Sequence, residues 1–413
     1  MTHRGGAGDA GVVDADKVMR ARVFLLGSGR LDQRQELEAY RVLAPVSPAV
    51  YAPKLVRRLD WTRATTPERR EELAVEGVAA ARLLDPAHPQ RTEVLCRALG
   101  RYGSELLRQG RRAEALAFCR ESAAVGREGY ERGQVDHPRY GAGQLITVLS
   151  EEGRYADALE ASNEEAEDDF WAAVRGSALR EAAGRSAEAV AAFGRFLAEE
   201  RTAAAEGRTA LAILVWSLLR QAEVLDRAGR GGEAGEHRRE AGEALARLAA
   251  DGEPVSWSNI QNWWVTLFLL SGRPDEPPAA PGALGPPFGE DARHWSPDTQ
   301  EAFAASTESL EAEKAALTAR TATDPARWLP ELLTAHRRLT LRAALRVTHR
   351  THRILDPLRP LLDEGGALAR RLSPTAEARA LTDRSTMLLA AHAYEEAHKD
   401  FTTAETLRAA TPR

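Results

Sequence analysis

Gly110-Arg111-Arg112-Ala113-Glu114-Ala115-Leu116 decides the fold of this chain, because the stretch comes back. It recurs as Gly153-Arg154-Tyr155-Ala156-Asp157-Ala158-Leu159 and as Gly184-Arg185-Ser186-Ala187-Glu188-Ala189-Val190. A weaker copy is Gly229-Arg230-Gly231-Gly232-Glu233-Ala234, and Gly272-Arg273 closes a further run, with Pro274 behind it. Successive glycines lie 43, 31, 45 and 43 residues apart. Internal periods of that size mark stacked helix-turn-helix units. Glycine stops the first helix by accepting a left-handed backbone, and a second helix starts at once. Five residues after the turn stand Ala115, Ala158, Ala189 and Ala234; seven before it stand Gly103, Ser177 and Ala222. Small residues at both places let two antiparallel helices approach closely, with Leu106, Leu149, Leu225 and Phe268 supplying bulk beside them. Ile146 and Val265 break the small-residue rule, so those two hairpins are expected to be splayed or shifted.

The joint pattern resembles the tetratricopeptide repeat family. The clearest single match is Arg384-Ser385, then Ala391-His392-Ala393-Tyr394-Glu395-Glu396-Ala397, then Asp400-Phe401 and Ala404. There His392 takes the turn-glycine place. The unit around Leu99, Tyr102, Gly103, Leu106, Ala115 and Cys119 is nearly as good. The likeness covers about 90–250 and again 378–411. It implies an all-α chain, an α-solenoid of antiparallel helix pairs wound as a right-handed superhelix, followed by a C-terminal helical block. It also implies a concave groove for proteins or peptides, and no catalysis.

Composition is consistent with that reading. Hydrophobic residues make up 43% and charged residues 28%, the balance of a chain that folds. Net charge is −5, so no global basic field recruits nucleic acid or an anionic membrane. Only four of the 56 basic residues are lysines, which with the heavy use of Ala, Gly and Arg reads as a GC-rich, bacterial-type genome. Cys96 and Cys119 make no disulfide framework, and Met1 to Asp16 lacks the apolar core of a signal peptide. The longest apolar stretches, Leu211–Leu219 and Trp263–Leu270, fall short of a membrane span. A cytoplasmic location is the expectation.

Along the chain, 1–16 reads as a loose tail and 17–272 as the repeat array. Within the array, Thr66-Pro67-Glu68 has the form of an N-cap followed by a first-turn proline. Seven of the 21 prolines fall in 273–297, which reads as a semi-rigid linker. A helical block, 298–413, ends in the hairpin 378–411.

In the resembled family, ligand contacts come mainly from the first helix of each pair. Helical periodicity places residues 13, 10, 6 and 3 before the turn on one side of that helix. This register selects Tyr140, Trp171 and Trp216 as an aromatic row, with Leu219, Asn259 and Asn262, beside the acids Glu181, Glu223 and Asp226. Such a face suits an apolar or cationic peptide; the competing reading packs the tryptophans between repeats. Trp257-Ser258-Asn259-Ile260-Gln261-Asn262-Trp263-Trp264 holds two of the three asparagines in the chain, so Asn259 and Asn262 are candidates for holding a peptide backbone. On the helix 336–353, Arg338, Arg342, Arg346 and Arg350 repeat every four residues along one face. That face is either an anion or nucleic-acid surface or a partner for acids such as Glu313 and Glu364. His349 and His352 lack further metal ligands, and the acidic run Glu164–Asp169 reads as a solvated face. No phosphate loop, dinucleotide fingerprint or nucleophile elbow occurs.

The expectation is thus a non-catalytic scaffold that binds a protein or peptide, with no cofactor and no metal. The alternatives are a sensor of a small peptide or metabolite, and anion binding through the arginine helix.

Overall fold

The computed structural model describes residues 14–26, 32–162, 169–256, 260–277, 283–347 and 355–411, the side chains of 355 and 356 excepted. Among these residues every regular element is helical: eighteen α-helices, two single 3-10 turns and no strand. No described helix is long and apolar enough to cross a membrane. The chain divides into two compact units, 1–145 and 146–413.

The first unit holds α1 (Ala15–Leu26), α2 (Gln33–Leu43), α3 (Pro48–Trp61), α4 (Pro67–Arg82), α5 (Arg91–Arg108) and α6 (Arg112–Glu131). Each packs on the next in chain order, around a core that includes Leu59, Leu73, Leu95 and Leu99. Thr66 caps α4, its hydroxyl accepting from the Arg69 N–H at 3.3 Å, with Pro67 at the first position. The unit boundary falls inside α7 (Gly143–Glu151). The proposed tail lies almost wholly outside the described residues.

In the second unit come α8 (Tyr155–Ser162), α9 (Phe170–Ala182), α10 (Ser186–Ala205), α11 (Leu211–Arg227), α12 (Gly231–Asp251) and α13 (Ile260–Ser271). After a 3-10 turn at Arg273–Asp275 and another at Ala292–His294 follow α14 (Pro297–Thr323), α15 (Pro325–Val347), α16 (Leu355–Leu372), α17 (Pro374–Ala390) and α18 (Tyr394–Ala410).

The recurring turn has a physical explanation. Gly110, Gly153, Gly184 and Gly229 all take φ between 71° and 75°, and His392 takes 59° in the same place. In each, the residue after the turn donates its N–H back to the carbonyl five residues earlier, as Arg111 does to Leu106 and Arg230 to Leu225, both at 2.9 Å. This is the hydrogen bond that closes a helix through a left-handed residue. The arginine that follows each glycine then pairs with the acid three residues on: Arg111 with Glu114, Arg154 with Asp157, Arg185 with Glu188, Arg230 with Glu233. The repeated Gly-Arg-x-x-acid spelling is therefore a turn followed by a first-turn ion pair. Ala115, Ala158, Ala189, Ala234 and Ala397 have no exposure at all, as close hairpin packing requires. Gly272 differs, at φ −85°. Pro274 follows, a 3-10 turn takes over, and α13 has no second helix.

The C-terminal hairpin turns back on the second unit. α18 packs on α12 and α17 on α11 and α13. Gly242 on α12 leaves room for the Phe401 ring, and the Trp264 indole N–H donates to Thr386 Oγ at 3.3 Å. α13 is thus enclosed between α11, α15 and α17. The described part of the Pro-rich segment is ordered by named bonds. The Gly285 N–H donates to the Glu151 carbonyl at 2.9 Å, and the Ser296 N–H to the Glu151 carboxylate at 2.8 Å.

Candidate functional site

α11 has an unusually buried surface: every residue from 212 to 222 is buried. Its last turn then emerges into a cleft of about 330 Å³ in the second unit. From α11 come Leu219, Glu223, Asp226 and Arg227; from α17, Arg379, Thr382 and Asp383; Arg238 and Arg408 flank them. A small extension runs beneath the cleft, lined by Trp216, Trp264 and Phe268.

Two sets of ion pairs build the walls. The inner set is buried. Arg220, 2% exposed, pairs with Glu181, which also takes Arg227 Nη1 at 2.7 Å. Burial alone would raise the Glu181 carboxyl, but Arg220 and Arg227 together outweigh it and hold it below the ordinary value of 4.5. Arg337 on α15 is 9% exposed. Its Nε and Nη2 donate to Asp383 at 2.9 and 3.2 Å, its Nη2 and Nη1 to the hydroxyl and carbonyl of Ser271 at 2.8 and 3.2 Å, and its Nη1 to Asp275. All five of its N–H donors are engaged. Burial works against this charge, yet Asp383 and Asp275 outweigh burial and keep the guanidinium above its ordinary range.

The outer set is wet. Arg227 Nη2 reaches Glu223 at 3.1 Å and Arg238 Nη1 reaches Asp226 at 2.6 Å. Arg379 grips Asp275 at 2.8 and 3.0 Å. Side-chain exposure is 39% for Glu223, 47% for Asp226 and 45% for Arg379. Their partners are more covered, Arg227 at 34%, Arg238 at 13% and Asp275 at 10%, so of the three only Arg227–Glu223 is a surface pair, of the kind that contributes about 0–1 kcal/mol. Glu223, Asp226 and Arg379 are the wet ends at the cleft, and the inner set holds the walls in place.

The expected site residues distribute as follows. Trp216, Leu219, Glu223 and Asp226 do share one face of α11, and that face lines the cleft and its floor. Of the two readings of the tryptophans, packing holds at Trp216: it is 1% exposed, in the core with Trp264 and Leu245, because α13 and α17 cover it. Trp171 is half-buried, its ring 5.5 Å from that of Trp263, which stacks on Phe170 at 3.7 Å. Tyr140 belongs to the first unit, where its carbonyl lies over Gly126. Asn262 is half-buried on α13, and Asn259 lies outside the described residues.

Of the two readings of the arginine face, pairing with acids holds at Arg338 and Arg342. Arg338 pairs with Glu276 at 3.2 Å and with Glu313 at 3.6 Å. Arg342, 4% exposed, pairs with Glu276, donates to Ser306 Oγ at 2.9 Å and lies 4.0 Å over the Phe303 ring. These two are internal ties, not an open anion surface. Arg346 is exposed and donates to Thr307 Oγ at 3.1 Å. Arg350, His349, His352 and Glu164–Asp168 lie outside the described residues.

Sequence reasoning missed the α17 wall. The signal was present: counting 13, 10 and 6 back from His392 gives Arg379, Thr382 and Thr386, all lining the cleft or its floor. Counting from Gly272 fails on α13, where Trp264, Leu267, Phe268 and Ser271 line the floor instead. Gly272 is not a hairpin turn, so the register does not hold there. Neither a protein-family model nor a curated protein matches the chain.

Proposed function

We propose that this chain is a non-catalytic binding protein of tetratricopeptide type, in which α5–α6, α9–α10, α11–α12 and α17–α18 are repeat hairpins. Its cleft between α11 and α17 takes a peptide segment carrying both acidic and basic side chains. One observation carries this reading: Glu223, Asp226 and Arg379 stand exposed around a cleft whose inner ion pairs are buried and fixed. A preorganised wall lowers the ordering cost of binding, and the exposed ends of the outer pairs supply charges of both signs. The buried tryptophans make a purely apolar peptide a poorer match than a charged one.

A random peptide display library panned on the full chain tests it. Mixed-charge sequences should be enriched, and binding should weaken with added salt. Glu223→Ala with Asp226→Ala, and separately Arg379→Ala, should each weaken an enriched peptide by about tenfold, about 1.4 kcal/mol. An enriched peptide that binds both variants as tightly as the parent would place its site elsewhere and overturn the proposal.

A further inference from the structure

Behind the Arg337–Asp383 pair lies a second hollow, of about 370 Å³, open on one side and lined by α13, α15, α16 and α17. This volume is that of a small-ligand pocket. Its space is kept by small residues at one-turn spacing: Gly365 and Ala369 on α16, Ala376 and Ala380 on α17. The body of the wall is apolar, formed chiefly by Phe268, Leu333, Leu361 and Leu362. Leu372, Thr375 and Arg379 are exposed at its mouth.

The polar end selects the ligand. Two acids, Asp275 and Asp383, face two arginines, Arg337 and Arg379, so the cluster carries no net charge for an ion to answer. Arg337 has no donor left for an anion. Asp383 is different. Each of its carboxylate oxygens accepts one bond from Arg337, and a carboxylate oxygen can accept two. The His336 ring is held by Nε2 against the Leu361 carbonyl at 2.8 Å; its buried Nδ1 has no hydrogen-bond partner among the described residues and is a second acceptor beside Asp383 in the lining.

We infer that this hollow is a binding site for a small, uncharged, mainly apolar molecule bearing one hydrogen-bond donor, such as a phenol, an alcohol or an aryl amine. The apolar body rests on Phe268 and the leucines, and the donor meets Asp383. The site does not depend on a peptide occupying the cleft.

The probe is N-phenyl-1-naphthylamine, an uncharged aromatic with a single N–H, whose fluorescence rises in apolar surroundings. The full chain should give a saturable rise. Ala376→Leu and Ala380→Leu fill the hollow, and each should weaken the probe by about tenfold or more while circular dichroism stays unchanged. The sulfonated analogue 8-anilinonaphthalene-1-sulfonate should bind the parent chain at least about tenfold more weakly than the amine. No saturable rise, or full binding by either folded variant, overturns the site. Equal binding of the sulfonate overturns the ligand class. Crystals soaked with the amine decide independently of any variant: density against Phe268 and Asp383 supports the proposal, and density only elsewhere sinks it. Neither Ala376 nor Ala380 lines the cleft or its floor, and an enriched peptide that still binds both variants separates this failure from failure of the cleft.

Discussion

α5 and α11 hold the same place in their hairpins, each ending in the same glycine turn, yet their surfaces differ. α5 leaves Arg97 and Arg108 exposed and Arg101 and Ser104 half-covered. α11 buries eleven residues in succession, 212 to 222. Repeat chemistry does not account for the difference. α11 is overlaid by α13 and α17, two helices that no local pattern assigns to it. A hairpin's sequence specifies its turn and its partner helix; the use of its remaining face depends on what the distant chain lays over it.

Ion pairs give the sharpest test of this contrast. Arg337→Met strands Asp383 in the interior and leaves Asp275 to Arg379 alone, and should cost about 3–5 kcal/mol in urea unfolding. Arg101→Met in the first unit loses one half-buried pair with Asp60, 3.0 Å long, and should cost no more than about 1 kcal/mol. Equal costs would break the comparison.

Acid titration should separate the units by sign. Glu181 is held below 4.5, so its contribution is complete above that value and is lost as pH falls through the lower folded pKa. Asp60 has the opposite sign: burial raises it above 3.8 and the Arg101 bond only partly offsets this. Its folded form therefore keeps a proton to higher pH, and stability falls as pH rises through the folded pKa. Glu181→Gln should lose about 2–3 kcal/mol at neutral pH and flatten the acid limb of the stability–pH curve. Asp60→Asn should steepen that limb.

Turns sharpen the comparison further. Gly272→Ala would put its Cβ 2.2 Å from Leu341 Cδ1 at an ordinary φ, an overpacking cost of about 1–3 kcal/mol. Gly110→Ala meets nothing within 4 Å but sits at φ +71°, and should cost about 1 kcal/mol from backbone strain alone. Thermal unfolding of the two variants ranks packing against conformation. The smallest effect belongs to the cleft rim, where Asp226→Ala should move stability by less than about 1 kcal/mol, leaving peptide binding as its readable consequence.

These contrasts also show how much was legible beforehand. Turn glycines, the Thr66 cap and the small residues at hairpin contacts could be read because each acts within a few residues of its partner. The register put Trp216, Leu219, Glu223 and Asp226 on one face of α11 but left open whether the tryptophans meet a ligand or pack between repeats. At Trp216 packing holds, because of α13 and α17, whose positions depend on contacts more than forty residues away. Pairing of the arginine helix with neighbouring acids was one of its two readings, and Glu313 does take part; the main partner of Arg338 and Arg342 is Glu276, in a Pro-rich stretch that read as linker. Arg379 and Thr382 obey the register of the other repeats, yet nothing local says that the last hairpin sits beside α11.

Docking of α17 and α18 on α11 to α13 has a consequence in time. Trp264 meets Thr386 across 122 positions of sequence, so that bond cannot form until the last hairpin has been synthesised. Contacts this distant form slowly and late. During synthesis, the faces of α11 and α13 that α17 covers have no cover until α17 has followed α14 to α16 out of the ribosome, and apolar surface exposed in this way is prone to aggregation. The hairpin that completes the cleft also ends that exposure.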